Sequence, residues 1–380
     1  MEELQSLTRD LVGTPSHEDP AAAGDLIEAW IRAETNARVE RDAVGNVLAW
    51  RQSGEDREPD DGRTLALVGH HDVVPPDEQQ VGDDDAYVVE ERDGRLYGRG
   101  SADMKGAVAA AMLAFRDAEV ASTNGDTIEG ATVQFASFVG EEIGGEGARH
   151  AIERGFSPDH AIVGEGSTGY SSPGVTDVAV AHKGRRASTI VAHGESAHAS
   201  VPEEGSNAIY RACDAVTELR DLDAPIVEVA GETISGSIVA TEIEGGSAWN
   251  VVPDRCTVTV DERTVPGERA PLEELATADD VEWIVEQDLP PMRCDDDVFG
   301  DLVLQAAKAN ADGAATGTPQ HVVKPHATDA GWLAEAGTEC VICGPAEPGE
   351  AHTASESVSI DVLERCRAIY RDAIEAYVRA

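Results

Sequence analysis

Short apolar runs that end in histidine or carboxylate residues constrain this chain more than any other feature. Asn46 to Trp50, Thr64 to Val68, Ala131 to Val139 and His160 to Val163 each read as a buried strand. Turns or helical patterns separate them, including a helix from about Gly106 to Arg116. Two amphipathic helices open the chain: Leu4, Leu7 and Leu11 recur at helical spacing, as do Leu26, Ile27, Trp30 and Ile31 after Asp19-Pro20. Apolar strands alternating with helices predict an α/β domain around a largely parallel core sheet.

From about Val178 the texture changes to strand-like TDVAVAHKG, ASTIVAHG, GSIVATEIEGG and CTVTVDERTV, with one helix from Asn207 to Leu219. Helical and apolar patterning resumes near Asp297. The expected division is a discontinuous α/β domain, residues 1–177 and 292–380, interrupted by an α+β insert over 178–291. A chain of 380 residues has room for two cores, because single cores stop growing near roughly 250 to 300 residues.

Composition excludes several classes of function. No apolar run approaches the roughly 20 residues of a membrane-spanning helix. MEELQSLTRDLVG lacks the basic and apolar regions of a signal peptide, so a cytoplasmic protein is expected. The net charge of -44 comes from 73 acidic against 29 basic residues, with lysine only at 105, 183, 308 and 324. Such a surface repels nucleic acid and anionic membranes. The acidic stretch from Ser53 to Arg63 reads as an exposed loop, and the acid runs Glu58 to Asp61, Asp83 to Asp85 and Asp295 to Asp297 as solvated surface. Adaptation to high salt, where screening relieves self-repulsion, would account for the whole pattern. Six scattered cysteines do not make a disulfide scaffold, and Cys340 and Cys343 fall inside the apolar run CVICGP, which reads as a buried strand.

The polar residues that close the apolar runs are candidate metal ligands. TLALVG leads into His70, His71 and Asp72, and ASFVG into Glu141 and Glu142. AIVG leads into Glu165, while the glycine-rich YGRGSADMKG delivers Asp103 at the mouth of a helix. Open α/β sheets place ligands at strand carboxyl ends. With His352 in GEAHTASES, this mix of imidazole and carboxylate without thiolate suits a catalytic zinc, cobalt or manganese site. GRGSAD is neither GxGxxG nor a GxxxxGK[ST] loop, so its glycines are read as letting the backbone curve around Asp103.

These stretches, together with EEIGGEGA (141 to 148), HASVPEEGSNAI (198 to 209) and NVVPDRCTVTVDER (250 to 263), resemble the co-catalytic metallopeptidases and deacylases. That family includes acetylornithine deacetylase, succinyl-diaminopimelate desuccinylase, aminoacylase and carboxypeptidase G. The resemblance covers essentially the whole chain. It implies a phosphorylase/hydrolase-like catalytic domain holding two divalent metal ions, zinc first with cobalt or manganese as alternatives. It also implies an inserted lid that pairs into a homodimer.

Carried onto this sequence, the resemblance makes His70, Asp103, Glu142, Glu165 and His352 the metal ligands, with Asp103 bridging. Asp72 would orient His70 and tune Glu141, and Glu141 would be the general base. Two cations roughly 3.5 to 4 Å apart depress the pKa of a shared water and polarise the scissile carbonyl. A carboxylate that is not a ligand must then move the proton. His71 falls at a variable position and is not expected to be a ligand. His198, in the insert, would stabilise the oxyanion, usually in a partner's site.

For the substrate carboxylate, Asn250 and Arg263 match contact positions of the family, and Arg185 and Arg186 resemble a GRRGS stretch of the desuccinylases. The desuccinylases' Gly-Arg pair after Ser/Thr-Asp is absent, because the chain reads Thr328, Asp329, Ala330, Gly331. The expected substrate is a small N-acyl amino acid, of the desuccinylase or acetylornithine deacetylase type. A di- or tripeptidase or a carboxypeptidase is the alternative, and a non-catalytic binding protein a remote one.

Overall fold

The computed structural model describes residues 1–52, 62–82, 86–120, 131–276, 280–311 and 317–380. The acid runs Glu58 to Asp61 and Asp83 to Asp85, and all but the last residues of the expected acidic loop, lie outside these. The chain forms two compact units: Met1–Ala181 with Arg293–Lys324 and Thr328–Ala380, and His182–Met292 with Pro325–Ala327.

The first unit is built on a sheet whose four central strands, Ala131–Phe138, Arg63–His70, His160–Val163 and Glu339–Ile342, run parallel. Antiparallel strands flank them, Arg38–Arg41 and Val47–Gln52 on one side and Val178–His182 on the other. Ala131–Phe138 is buried along its whole length and Arg63–His70 from its second residue, as a sheet covered on both faces requires. Against Arg63–His70 pack the helices Gly106–Asp117 and Ile360–Arg379. The alanine-rich Gly106–Asp117 is buried over its first ten residues, and its small side chains permit that close approach.

Local rules account for the helix ends. The helices Glu2–Gly13 and Ala21–Glu34 bury Leu4, Leu7 and Leu11, and Ile27 and Ile31. Asp296, read from sequence as plain solvated surface, instead caps the helix Asp297–Ala309 by accepting from Val298 N and Phe299 N, and its Oδ2 lies 3.0 Å from His160 Nε2. Cys340 and Cys343 are free and buried, with Cys340 inside the strand Glu339–Ile342.

The second unit is an antiparallel sheet in the order Ser237–Gly245, Arg255–Thr264, Gly184–His193, Val281–Leu289. The helix Ala208–Asp221, capped by the Asn207 side chain, packs on it around Ile190, Ala212, Leu219, Val258 and Val260. Burial along Arg255–Thr264 alternates strictly, so period two turns Glu262 inward with Val258 and Val260. Its charge meets Arg186, the register partner on the neighbouring strand.

Candidate metal centre

Three of the ligand-bearing segments leave the carboxyl ends of adjacent parallel strands. His70 is the last residue of its strand, in register with Phe138, rather than beyond the strand end. Glu141 and Glu142 follow Ala131–Phe138, and Glu165 follows His160–Val163. The fourth segment is the turn before Gly106–Asp117, where Gly100 takes φ 82°; a Cβ there would lie 2.6 Å from Val73 Cγ1. The fifth carries His352, a non-glycine residue at φ 61°. Such left-handed backbone persists only where its surroundings hold it.

The atoms that converge are almost all acceptors. His70 Nδ1 lies 3.0 Å from the carbonyl of Asp72, which can only accept, so Nδ1 carries the hydrogen. The lone pair of a neutral Nε2 would then face Asp103 Oδ1 at 3.1 Å and Glu165 Oε1 at 3.4 Å. On the other side of Asp103, Oδ2 lies 3.1 Å from His352 Nε2, itself 3.1 Å from Glu142 Oε1. Acceptors this close repel unless a cation lies among them, either a proton on each histidine or a metal ion. Ligand atoms of His70, Glu141 and Glu165, and of His70, Asp103 and Glu142, lie within 4.8 Å of one another, so both sets suit a metal.

The electrostatics follow from burial and crowding. Burial disfavours a charged His70, but hydrogen bonds to Asp103, Asp72 and Glu165 outweigh it and push the pKa well up. Asp103 and Glu142 raise His352 to about 10. Burial lifts Glu141 well above the carboxylate range, and the charges of Glu165, Asp329 and Asp103 add to the effect. His71 is buried and pushed down to about 3 by that burial; its Nδ1 lies 2.9 Å from Ser137 Oγ, a structural role.

Two participants escaped the sequence reading. Lys324 is buried, and its Nζ donates to Glu165 Oε2 at 3.3 Å, leaving Oε1 toward His70. The scarcity of lysine was the available signal: of four in the chain, Lys105 and Lys324 are buried. Asp329 is 3% exposed, neither of its oxygens has a hydrogen-bond partner among the described residues, and burial raises its pKa to about 8.

The remaining candidates lie in the second unit. His198, exposed, accepts at Nδ1 from Ser200 N at 3.2 Å, which leaves its hydrogen on Nε2. Asn250 precedes the short strand Val251–Val252, which pairs with Ala197–His198. Arg185 and Arg263 are register partners that share Asp261, each Nε 2.8 Å from one of its oxygens. Arg186 is buried, bonded to Glu262 at 2.6 Å and to the carbonyl of Ala270, over the Trp283 ring. A cavity of about 580 Å³ lined by Arg38, Trp50, Gln134 and Arg154 contains none of these residues.

Residues 66–376 match the model of peptidase family M20/M25/M40. The chain belongs to that family. It is 31% identical over 323 residues to an acetylornithine deacetylase of Myxococcus xanthus, covering 82% of this chain and 79% of that one. A succinyl-diaminopimelate desuccinylase of Stenotrophomonas maltophilia is 28% identical, covering 99% of both. Among solved structures, aminopeptidase PepT from Bacillus cereus superposes with TM-score 0.76 at 20% identity over 100% of this chain and 99% of that one. A dinuclear metal binding peptidase of the M20 family from Bacillus subtilis does so with TM-score 0.68 at 16% identity, over 100% and 98%. At these identities the two structures speak for the fold alone. As an M20 protein with deacylase relatives, the chain is a hydrolase acting on carbon–nitrogen bonds.

Proposed function

We propose that this M20 protein hydrolyses the amide of a small N-acyl amino acid rather than a peptide bond, as a desuccinylase or acetylornithine deacetylase would. The observation that carries the proposal is Asp103, whose two oxygens face different histidines, His70 and His352, each at 3.1 Å. Relatives at 28 to 31% identity bear deacylase names, whereas the solved peptidases are similar at 16 to 20% identity, in fold.

Two divalent ions fit the donor set: His70, Glu165 and Asp103 would hold one, and Asp103, Glu142 and His352 the other. A donor set of imidazole and carboxylate without thiolate suits a catalytic rather than a structural zinc, with cobalt or manganese as alternatives. Bound there, the ions would acidify water and polarise the scissile carbonyl.

The chain's own groups do the rest. Glu141, the carboxylate left free of the ions, would take a proton from water and return it to the departing amine. Asp72 accepts from the backbone N–H of Glu141 and Glu142, and so aims the two side chains to different tasks. His198 offers Nε2–H to the developing oxyanion. Arg263, Asn250 and Arg185 would bind the substrate carboxylate, while Arg186, held by Glu262, would support the sheet that carries Arg185 and Arg263.

The insert, 178–291, is the lid and pairing domain of a cytoplasmic homodimer in this reading, with His198 acting across the pair. Its edge strand Ser237–Gly245 leaves Val239 and Ile243 more than half exposed, and Trp249 is 98% exposed. Open strand edges with apolar side chains favour pairing with another chain. The excess of acid suits a high-salt interior.

The test is kcat/KM of the zinc- or cobalt-loaded protein in high salt on N-succinyl-diaminopimelate, N-acetylornithine, N-acetyl amino acids and dipeptides, beside Glu141→Ala. Preference of roughly 100-fold for one acyl amino acid, about 2.7 kcal/mol of transition-state discrimination, is expected. A comparable preference for a dipeptide would reject the proposal.

A further inference from the structure

Glu356 lies four residues beyond His352 and is 1% exposed. Its Oε2 sits 2.5 Å from Arg99 Nη1, itself buried, while Oε1 accepts from Ala102 N at 3.0 Å and Asp103 N at 3.1 Å. Its own carbonyl accepts from Gly98 N at 3.1 Å. Around Asp103 the backbone departs from helical angles, with Asp103 at φ −128°, ψ 92°. The N–H groups of Ala102 and Asp103 therefore need an acceptor from outside the segment.

From this we infer that Glu356, clamped by Arg99, is the positioning residue that sets Asp103 between the two metals. The inference rests on the two-metal reading above. One carboxylate joins the segment that carries Asp103 to the segment that carries His352, so these two ligands are held to each other. An anion is suited to the place because one of its oxygens serves two N–H groups while the other meets the guanidinium. Such supporting groups typically change metal affinity by ~10–100-fold when removed.

The experiment titrates metal-free, full-length protein in high salt with Co²⁺ and follows its visible absorption, beside thermal unfolding of the metal-free form. In R99M/E356L an apolar pair replaces the buried charges, a change that is often neutral for stability. The N–H groups of Ala102 and Asp103 nonetheless lose their acceptor, so the expected behaviour is a somewhat lower metal-free Tm, with Co²⁺ bound ~10–100-fold more weakly and an altered spectrum. E356D keeps the charge but withdraws the carboxylate by one methylene, and weaker Co²⁺ binding is expected there too. Wild-type titration in either variant would overturn the clamp alone. Wild-type titration by D103A would instead overturn the two-metal reading, and the clamp with it.

Discussion

Asp72 Oδ2 accepts the backbone N–H of Glu142 at 3.2 Å, while Oδ1 faces the N–H of Glu141 at 3.4 Å. One side chain thus holds the backbone of two adjacent glutamates, and Oδ1 also lies 3.5 Å from His70 Nδ1. Asp72→Ala should lower kcat/KM by ~10–100-fold, with Asp72→Asn milder because one oxygen remains. Steady-state kinetics with metal analysis check this; unaltered kinetics in Asp72→Ala would remove Asp72 from the mechanism.

Glu141 approaches His70 and Glu165 closely enough to be a ligand, so its role needs a measurement that separates base from ligand. Glu141→Gln should reduce kcat by ~10²–10⁴. Two metals per chain should remain, by elemental analysis. Loss of one metal equivalent would reassign Glu141 to the ligand set.

Asp329 makes metal-free stability depend on pH. Its folded pKa of about 8 lies above that of an unfolded aspartate, roughly 3.9, so the folded state holds the extra proton between them. This contribution is fully present below the unfolded value and is lost as pH rises through about 8. Urea unfolding of chelated protein should therefore show stability falling from about pH 4 to about 8. Asp329→Asn should flatten that slope, and an equal slope in the variant would refute the assignment.

If the edge strand Ser237–Gly245 pairs two chains, Val239→Lys with Ile243→Lys should give a monomer by light scattering. With His198 acting across the pair, the monomer should lose kcat by about 10²–10³, the usual effect of losing one oxyanion donor. A fully active monomer would refute action of His198 across the pair.

Lowering salt strengthens repulsion among like surface charges, since the screening length grows from about 3 Å at 1 M to about 30 Å at 0.01 M. With a net charge of -44, helical circular dichroism should fall as salt is withdrawn. Full stability at low salt would end the halophilic reading.

The alternation of apolar runs and helices, and the polar residues that close them, were legible because they depend on neighbours two to four positions apart. The parallel order of the central strands then carried His70, Glu141, Glu142 and Glu165 to one end of the sheet. Distant pairing left no such local trace. Lys324 beside Glu165, Arg99 beside Glu356 and the isolated carboxylate of Asp329 are set by which segments pack together. Arg185 and Arg186 are adjacent and alike in sequence, yet period two turns one toward Asp261 and buries the other on Glu262. Residue identity determined which chemistries this chain could support; burial, which makes an unpaired charge costly, decided which of those charges are bound to one another and which remain for a metal or a substrate.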